Sequence, residues 1–191
     1  MNRFDAAPWP LGLKVISALS TAILLGATYI LARAFPRGTR VPFAEAFGTG
    51  ITVLPLAIAL ISLLFIVSGY ELGSEQLLVR RLFWSTRISL SGISRAAHDP
   101  AAMKRSLRLF GNGGLFAITG IFQNRTLGRY RAFATDPRNA VVLFLPRRIV
   151  IVTPADPAGF LEALRMYFPA ISIRDSVSAG GFARPPAGSA S

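Results

Sequence analysis

The chain has 191 residues, 52% of them hydrophobic, and 21 lysines and arginines against 9 acidic side chains, for a formal net charge of +12 at pH 7. The absence of cysteine excludes disulfides, zinc–thiolate centres and cysteine nucleophiles, and the single histidine leaves any metal site to carboxylates alone. Once the apolar runs are set aside, enough chain remains for one small core and not for two.

A short N-terminal segment, residues 1–12, precedes two apolar runs at 15–32 and 46–70, whose only ionisable side chains are Tyr29 and Tyr70. At about 1.5 Å per residue these runs reach about 27 and 37 Å, which matches a hydrocarbon core about 30 Å thick. Only a helix satisfies its own backbone there. A transmembrane hairpin over 13–70 is therefore expected, with spans at about 13–33 and 47–70. The basic start at Arg3 and Lys14 followed by Ala32, Arg33 and Ala34 imitates a signal peptide. The run is too long for that, and an arginine breaks the small-x-small site, so a retained helix is expected. Arg3, Lys14, Arg80, Arg81 and Arg87 flank one side of the pair, and Arg33, Arg37 and Arg40 the other. The excess places both termini in the cytoplasm. Gly48 and Gly50 with Thr49 and Thr52 offer small surfaces for helix packing, between copies of the chain or within the hairpin.

Beyond the hairpin the apolar period switches to alternation, the signature of half-buried strands. Trp84, Thr86, Ile88 and Leu90 alternate with Ser85, Arg87 and Ser89, and Tyr130, Ala132 and Ala134 with Arg129 and Arg131. Residues 141–145 and 149–152 are short and β-rich, and turns are expected at 124–128, 136–139 and 146–148. About seven strands fit between Glu75 and Val152. A helix follows, with Thr153 and Asp156 as N-cap choices, Pro154 or Pro157 in its first turn, and a stripe of Phe160, Leu161, Leu164, Tyr167 and Phe168 to cover the open end of a barrel. Residues 173–191, rich in Gly, Ala, Ser and Pro, are expected to be a disordered tail.

No catalytic constellation emerges. The acidic residues of the soluble part sit at caps, turns and the membrane flank; Glu71 and Glu75, at the end of the second span, are expected to be solvated there, and His98 before Asp99 and Pro100 reads as a turn residue. No serine has a local base or an elbow motif. The cluster Gly111, Asn112, Gly113 and Gly114 either cradles an anion on its backbone amides or only permits a positive-φ turn or bulge. It lacks the Lys-Ser/Thr pair of a nucleotide loop. Arg80, Arg81 and Arg87, around one turn close to the membrane, with Arg105 and Arg108 near the glycines, are the candidate lipid- or partner-binding residues.

The stretches FGNGGLF at 110–116, LGRYRAFAT at 127–135 and IVIVTPADPAGFLEAL at 149–164 resemble bacterial pleckstrin-homology-like (PH-like) domains. The resemblance covers roughly 75–170, and a two-helix anchor also precedes domains of this kind. It implies a seven-strand barrel capped by a C-terminal helix, here at 71–172, and a binding or assembly module rather than a reaction. The expectation is thus a multi-pass protein of the cell (inner) membrane. It takes no cofactor, contacts membrane lipids, and presents its domain to an unidentified protein partner as a non-catalytic scaffold. The alternatives are an anionic-lipid sensor and, least, a nucleic-acid binder through Arg129, Tyr130, Arg131 and Phe133. For the last, Tyr130 falls on the wrong side of the alternation, so no nucleic-acid partner is expected.

Overall fold

The computed structural model describes residues 1–35, 42–113 and 115–174. Arg37, Arg40, Gly114, Asp175 and the tail lie outside them. Strand β1 (Asn2–Asp5) leads into helix α1 (Leu11–Ala34), helix α2 (Pro42–Leu63) runs back, and β2 (Val67–Leu72) follows. Both helices are long and apolar enough to cross a membrane, and only 6% and 11% of their most apolar windows are buried. Their apolar surface is therefore turned outward, unlike that of a core helix. Four hydroxyls on them donate to their own backbone one turn back: Thr21 to Ser17, Thr28 to Leu24, Thr52 to Gly48 and Ser62 to Ile58. This satisfies those four groups, which an apolar surround would otherwise penalise. Gly48 packs on Phe35, where an added Cβ would lie 3.2 Å from the Phe35 Cβ, whereas Gly50 faces open space.

The expected barrel is not closed. The strands form two sheets. One has the order β1-β2-β3-β4, with β3 at Gln76–Arg81 and β4 at Ser85–Ser89. The other has the order β11-β5-β9-β10-β8-β7-β6, with β5 at Arg95–His98, β6 at Leu107–Gly113, β7 at Ile118–Asn124, β8 at Gly128–Ala134, β9 at Val141–Leu145, β10 at Arg148–Val152 and β11 at Ser172–Arg174. The turn at Gly92 (φ 71°) carries the chain from one sheet to the other. Among the described residues each sheet keeps two edge strands, β1 and β4 in one and β11 and β6 in the other. The β6–β7 ribbon carries a bulge between Arg108 and Phe110. At the register pair Gly111 and Gly120, both in positive φ, the two backbones approach so closely that a Cβ on either would collide with the other strand. The glycines at 111 and 120 thus shape a ribbon.

The main core lies between the sheets, where Tyr70, Leu72, Leu77, Val79 and Leu90 meet Phe133, Leu143 and Val152. Helix α3 (Pro157–Tyr167) seals it with Phe160, Leu161 and Leu164. A second core covers the opposite face of the larger sheet, where Ala102 and Met103 of the 99–106 loop pack on Phe122 and Tyr130. The turns stand where the composition placed them: Asp136 accepts from the Arg138 amide, and Asn124 accepts from that of Leu127 ahead of Gly128 (φ 67°).

Two expectations change at the strand that follows α2. Tyr70 is not the end of a span but the centre of β2, with no solvent exposure. Glu71, on the same strand, takes Arg3 at 3.1 Å and Arg80 at 3.5 Å. Strand β1, within the segment read as an N-terminal extension, pairs with β2 from Asn2↔Leu72 to Asp5↔Gly69. Thr153 does not cap α3; Asp156 does, accepting from the Gly159 amide at 3.0 Å with Pro157 next in sequence. Asp156→Ala should lower the unfolding free energy by about 1 kcal/mol, read as a shifted urea midpoint of the full chain in mild detergent.

Candidate functional site

Alternation on β3 sends its neighbouring arginines to opposite faces. Arg80 points outward with Arg87, its diagonal neighbour across the β3–β4 register, and is held by Glu71. Arg81 points inward and is only 9% exposed. Its guanidinium carbon lies 5.2 Å from the Phe65 ring centre, 5.5 Å from that of Phe133 and 5.9 Å from that of Trp84. Arg131, exposed on β8, stacks on the same Phe133 ring at 5.0 Å. Sequence alternation already put Arg131 and Phe133 on one face of β8; that Arg81 would meet them there depends on the packing of two sheets and was not legible.

The electrostatics of this cluster are unusual. Burial, then the adjacent Arg131 cation, draw the Arg81 guanidinium below its ordinary pKa, with Tyr70 opposing. Arg81 Nη1 donates a long bond, 3.4 Å, to the Phe65 carbonyl, and its Nε–H has no partner among the described residues. The ion pairs among those residues are Arg3 and Arg80 with Glu71, and Arg138 with Asp136. Two cations therefore share one aromatic ring, and among the described residues neither is paired with a carboxylate.

The β3–β4 turn beside this cluster is apolar and protrudes: Leu82 is 54%, Phe83 74% and Trp84 47% exposed. Trp84 meets Phe65, two residues beyond α2, edge to face at 5.7 Å. At the start of α1, the Phe116 amide donates to Ser17 Oγ at 2.9 Å, and its ring lies 6.1 Å from that of Trp9. Both loops thus lie against the same end of the helix pair.

The remaining candidates are not gathered here. Arg105, at φ 52°, lines an open depression on the far loop with Lys104, Asn124 and Arg125, while Arg108 is exposed on β6. The five arginines singled out by sequence do not form one site. Of the glycine cluster, Asn112 holds both the amide and the carbonyl of Leu115, closing a turn through its own side chain. His98 ends β5 and bonds the Arg138 carbonyl at 3.3 Å. Tyr130 is buried, stacked on Phe122 at 5.9 Å and donating to Ser106 Oγ, so its face is closed to a nucleobase. Among the described residues no three His, Cys, Asp or Glu side chains are grouped so as to hold a metal ion.

The bacterial PH domain family matches residues 68–167, slightly more than half of the chain. The chain belongs to the bacterial PH domain family. Searches of curated proteins and of solved structures returned no match. The matched segment opens in β2 and closes at the end of α3, so both apolar helices and β1 stand outside it. The PH domain is nonetheless incomplete without β1: Phe4 packs edge-on against Phe160 with centroids 5.1 Å apart, and the Asp5 carbonyl accepts from the Ala155 amide.

Proposed function

We propose that this protein is a non-catalytic, two-span membrane protein of the cell membrane that holds its PH domain against the cytoplasmic face as a docking platform for another protein. The observation that carries this reading is the attachment. Entry to α1 and exit from α2 pass through β1 and β2, adjacent hydrogen-bonded strands of one sheet. The connectors are residues 6–10 and 64–66, and a polar node of Tyr70, Thr135 and Thr153 pins the first of them at the Ala7 carbonyl. Such a domain has no slack. It stands at a fixed height and rotation above the bilayer, and a bound partner is confined to the membrane surface. The basic excess on the domain side of the helices supports a cytoplasmic location. For the partner, β6, which among the described residues lies at the edge of its sheet, displays Leu107, Leu109 and Phe110, a surface suited to strand addition.

Three measurements on the full chain test this. After alkaline extraction the protein should stay with the membrane pellet. The native chain has no cysteine, so a single Ser172→Cys substitution should be labelled only when the cytoplasmic face is opened. A stoichiometric protein should co-purify in mild detergent and be lost with Leu109→Glu/Phe110→Glu. Release into the supernatant overturns the membrane reading, and a membrane-integrated chain with no partner overturns the docking reading.

A further inference from the structure

We propose that the partner docked on β6 is an extended acidic segment of a protein, whose apolar side chains cover Leu107 and Phe110 while its carboxylates enter the depression of Lys104, Arg105 and Arg125. The inference rests on the docking reading above and adds the partner's chemistry and direction to it.

The first observation is how β6 divides its faces. In the register with β7, Leu107 stands opposite Gln123, Arg108 opposite Phe122 and Phe110 opposite Ile121. The bulge between Arg108 and Phe110 therefore brings Leu107 and Phe110, three residues apart, onto one face of the sheet. It leaves Arg108 on the other face, the one that the 99–106 loop covers. The apolar pair is largely exposed, at 69% and 76%. A strand added at this edge would place alternate side chains over that pair and the ones between them beside a guanidinium.

The second is the charge at the start of the strand. Lys104 and Arg105 stand just ahead of β6, and Arg125 lines the same depression from the β7–β8 turn. All three are exposed, and among the described residues neither they nor Arg108 stand in an ion pair. Asp99, at the start of the loop, is buried and accepts from the Ala101 amide at 2.7 Å. The incoming groups that complement such an edge are carboxylates. Among the described residues no aromatic side chain lines the depression, so it offers a nucleobase nothing to stack on. The loop held by Ser17 of α1 lies at the opposite end of the ribbon, beyond the seven residues of β6 or about 23 Å of strand. The depression is thus at the end remote from the helix pair, which favours a protein over a headgroup as the source of the negative charge.

The third is rigidity. Arg105 holds a left-handed backbone (φ 52°), a conformation that is costly for a residue with a side chain and persists only where the surroundings enforce it. Asn124 enforces it here: its amide nitrogen donates to the Ala102 carbonyl at 2.8 Å and to Ser106 Oγ at 3.1 Å, and Tyr130 donates to the same Oγ at 2.6 Å. Lys104 and Arg105 lie between those anchors and are presented in a fixed place, which lowers the ordering cost of binding. Direction follows from the pairing. Antiparallel addition is the commoner kind, and an antiparallel strand runs from Gly111 toward Leu107 and ends at the depression. Its acidic residues therefore follow its apolar ones.

The test offers a displayed library of short random peptides to the full chain in phosphatidylcholine nanodiscs. Selected peptides should carry alternating apolar residues followed by Asp or Glu, and the tightest of them should slow hydrogen exchange at the amides of 107–111. Arg105→Glu/Arg125→Glu should weaken that peptide about tenfold or more at an unchanged melting temperature, and the same library should then yield basic peptides. Lys104→Glu/Arg125→Glu takes its place if the first pair fails to fold. Selection without an acidic preference, acidic residues ahead of the apolar ones, or binding that leaves exchange at 107–111 unchanged overturns the proposal. Single-stranded RNA or phosphatidylglycerol vesicles that bind at lower concentration than the peptide, and are lost with the same variant, overturn it too. The two readings fail separately. A co-purifying protein lost with Leu109→Glu/Phe110→Glu but kept by Arg105→Glu/Arg125→Glu removes only this proposal, whereas no co-purifying protein and no selected peptide removes both.

Discussion

Phe160→Ala should lower the unfolding free energy of the full chain by about 3–5 kcal/mol, enough to remove a large share of the stability of an ordinary domain. Phe160 has no exposed surface, sits in the first turn of α3, and fills the space between the two sheets. No other element can slide in to replace it, because Leu161 and Leu164 are already committed to the same core. The loss should also reach the N-terminus, since the ring packs edge-on against Phe4 of β1. Urea unfolding in detergent, followed by tryptophan emission, gives the magnitude, and hydrogen exchange at Arg3 and Phe4 should rise with it. A change below about 1 kcal/mol would mean that α3 rests on the sheets without belonging to their cooperative core.

Tyr70→Phe is the second large effect. The Tyr70 hydroxyl donates to the Phe133 carbonyl at 2.6 Å and accepts from the Thr153 amide at 3.1 Å, joining β2 to β8 and to the end of β10. Removing one oxygen takes a hydrogen bond from a buried carbonyl and another from a buried N–H, at about 2–4 kcal/mol for the two. The same residue sets an alkaline limit. Burial pushes the Tyr70 phenol up to about 12, against about 10 for an unfolded tyrosine. Between those values the folded protein keeps a proton that the unfolded chain releases. Stability from this group is thus complete below pH 10 and lost as the pH rises toward 12, by roughly 2–3 kcal/mol. Burial raises Tyr130 in the same direction, so the measurement is the difference between wild type and Tyr70→Phe. The variant should start less stable and decline less steeply in alkali.

The sequence disclosed those parts of the fold whose signals are local. Pattern in 84–90 and 128–134 marked strands because each has one face in a core and one facing out. The pair Asp156 and Pro157 marked a helix start because capping is a matter of three residues. What escaped notice was set by distant contact. The apolar run through Val67 and Tyr70 continues without a break from α2 into β2, since β2 is buried almost throughout, and composition does not register the change from helix to strand. Strand β1 has no alternation worth reading in four residues and exists because β2 offers an edge. For the candidate site the difference is sharper. Arg81 was visible as one of a basic group, but its separation from Arg80 and its meeting with Arg131 over Phe133 depend on which face of β3 turns inward.

The pairing of β1 with β2 also fixes an order of events during synthesis. Asn2 leaves the ribosome long before its partner Leu72, and both helices lie between them in sequence. The sheet therefore cannot close until both helices have been made and have settled side by side, which brings the two strand ends together and removes most of the entropy cost of joining them. Until then β2 presents an open edge with Tyr70 and Leu72 uncovered, the kind of surface that aggregates or is seized by quality control. Completion of the first sheet thereby depends on the pairing of the two helices, and a chain in which they fail to pair leaves β2 without its β1 neighbour.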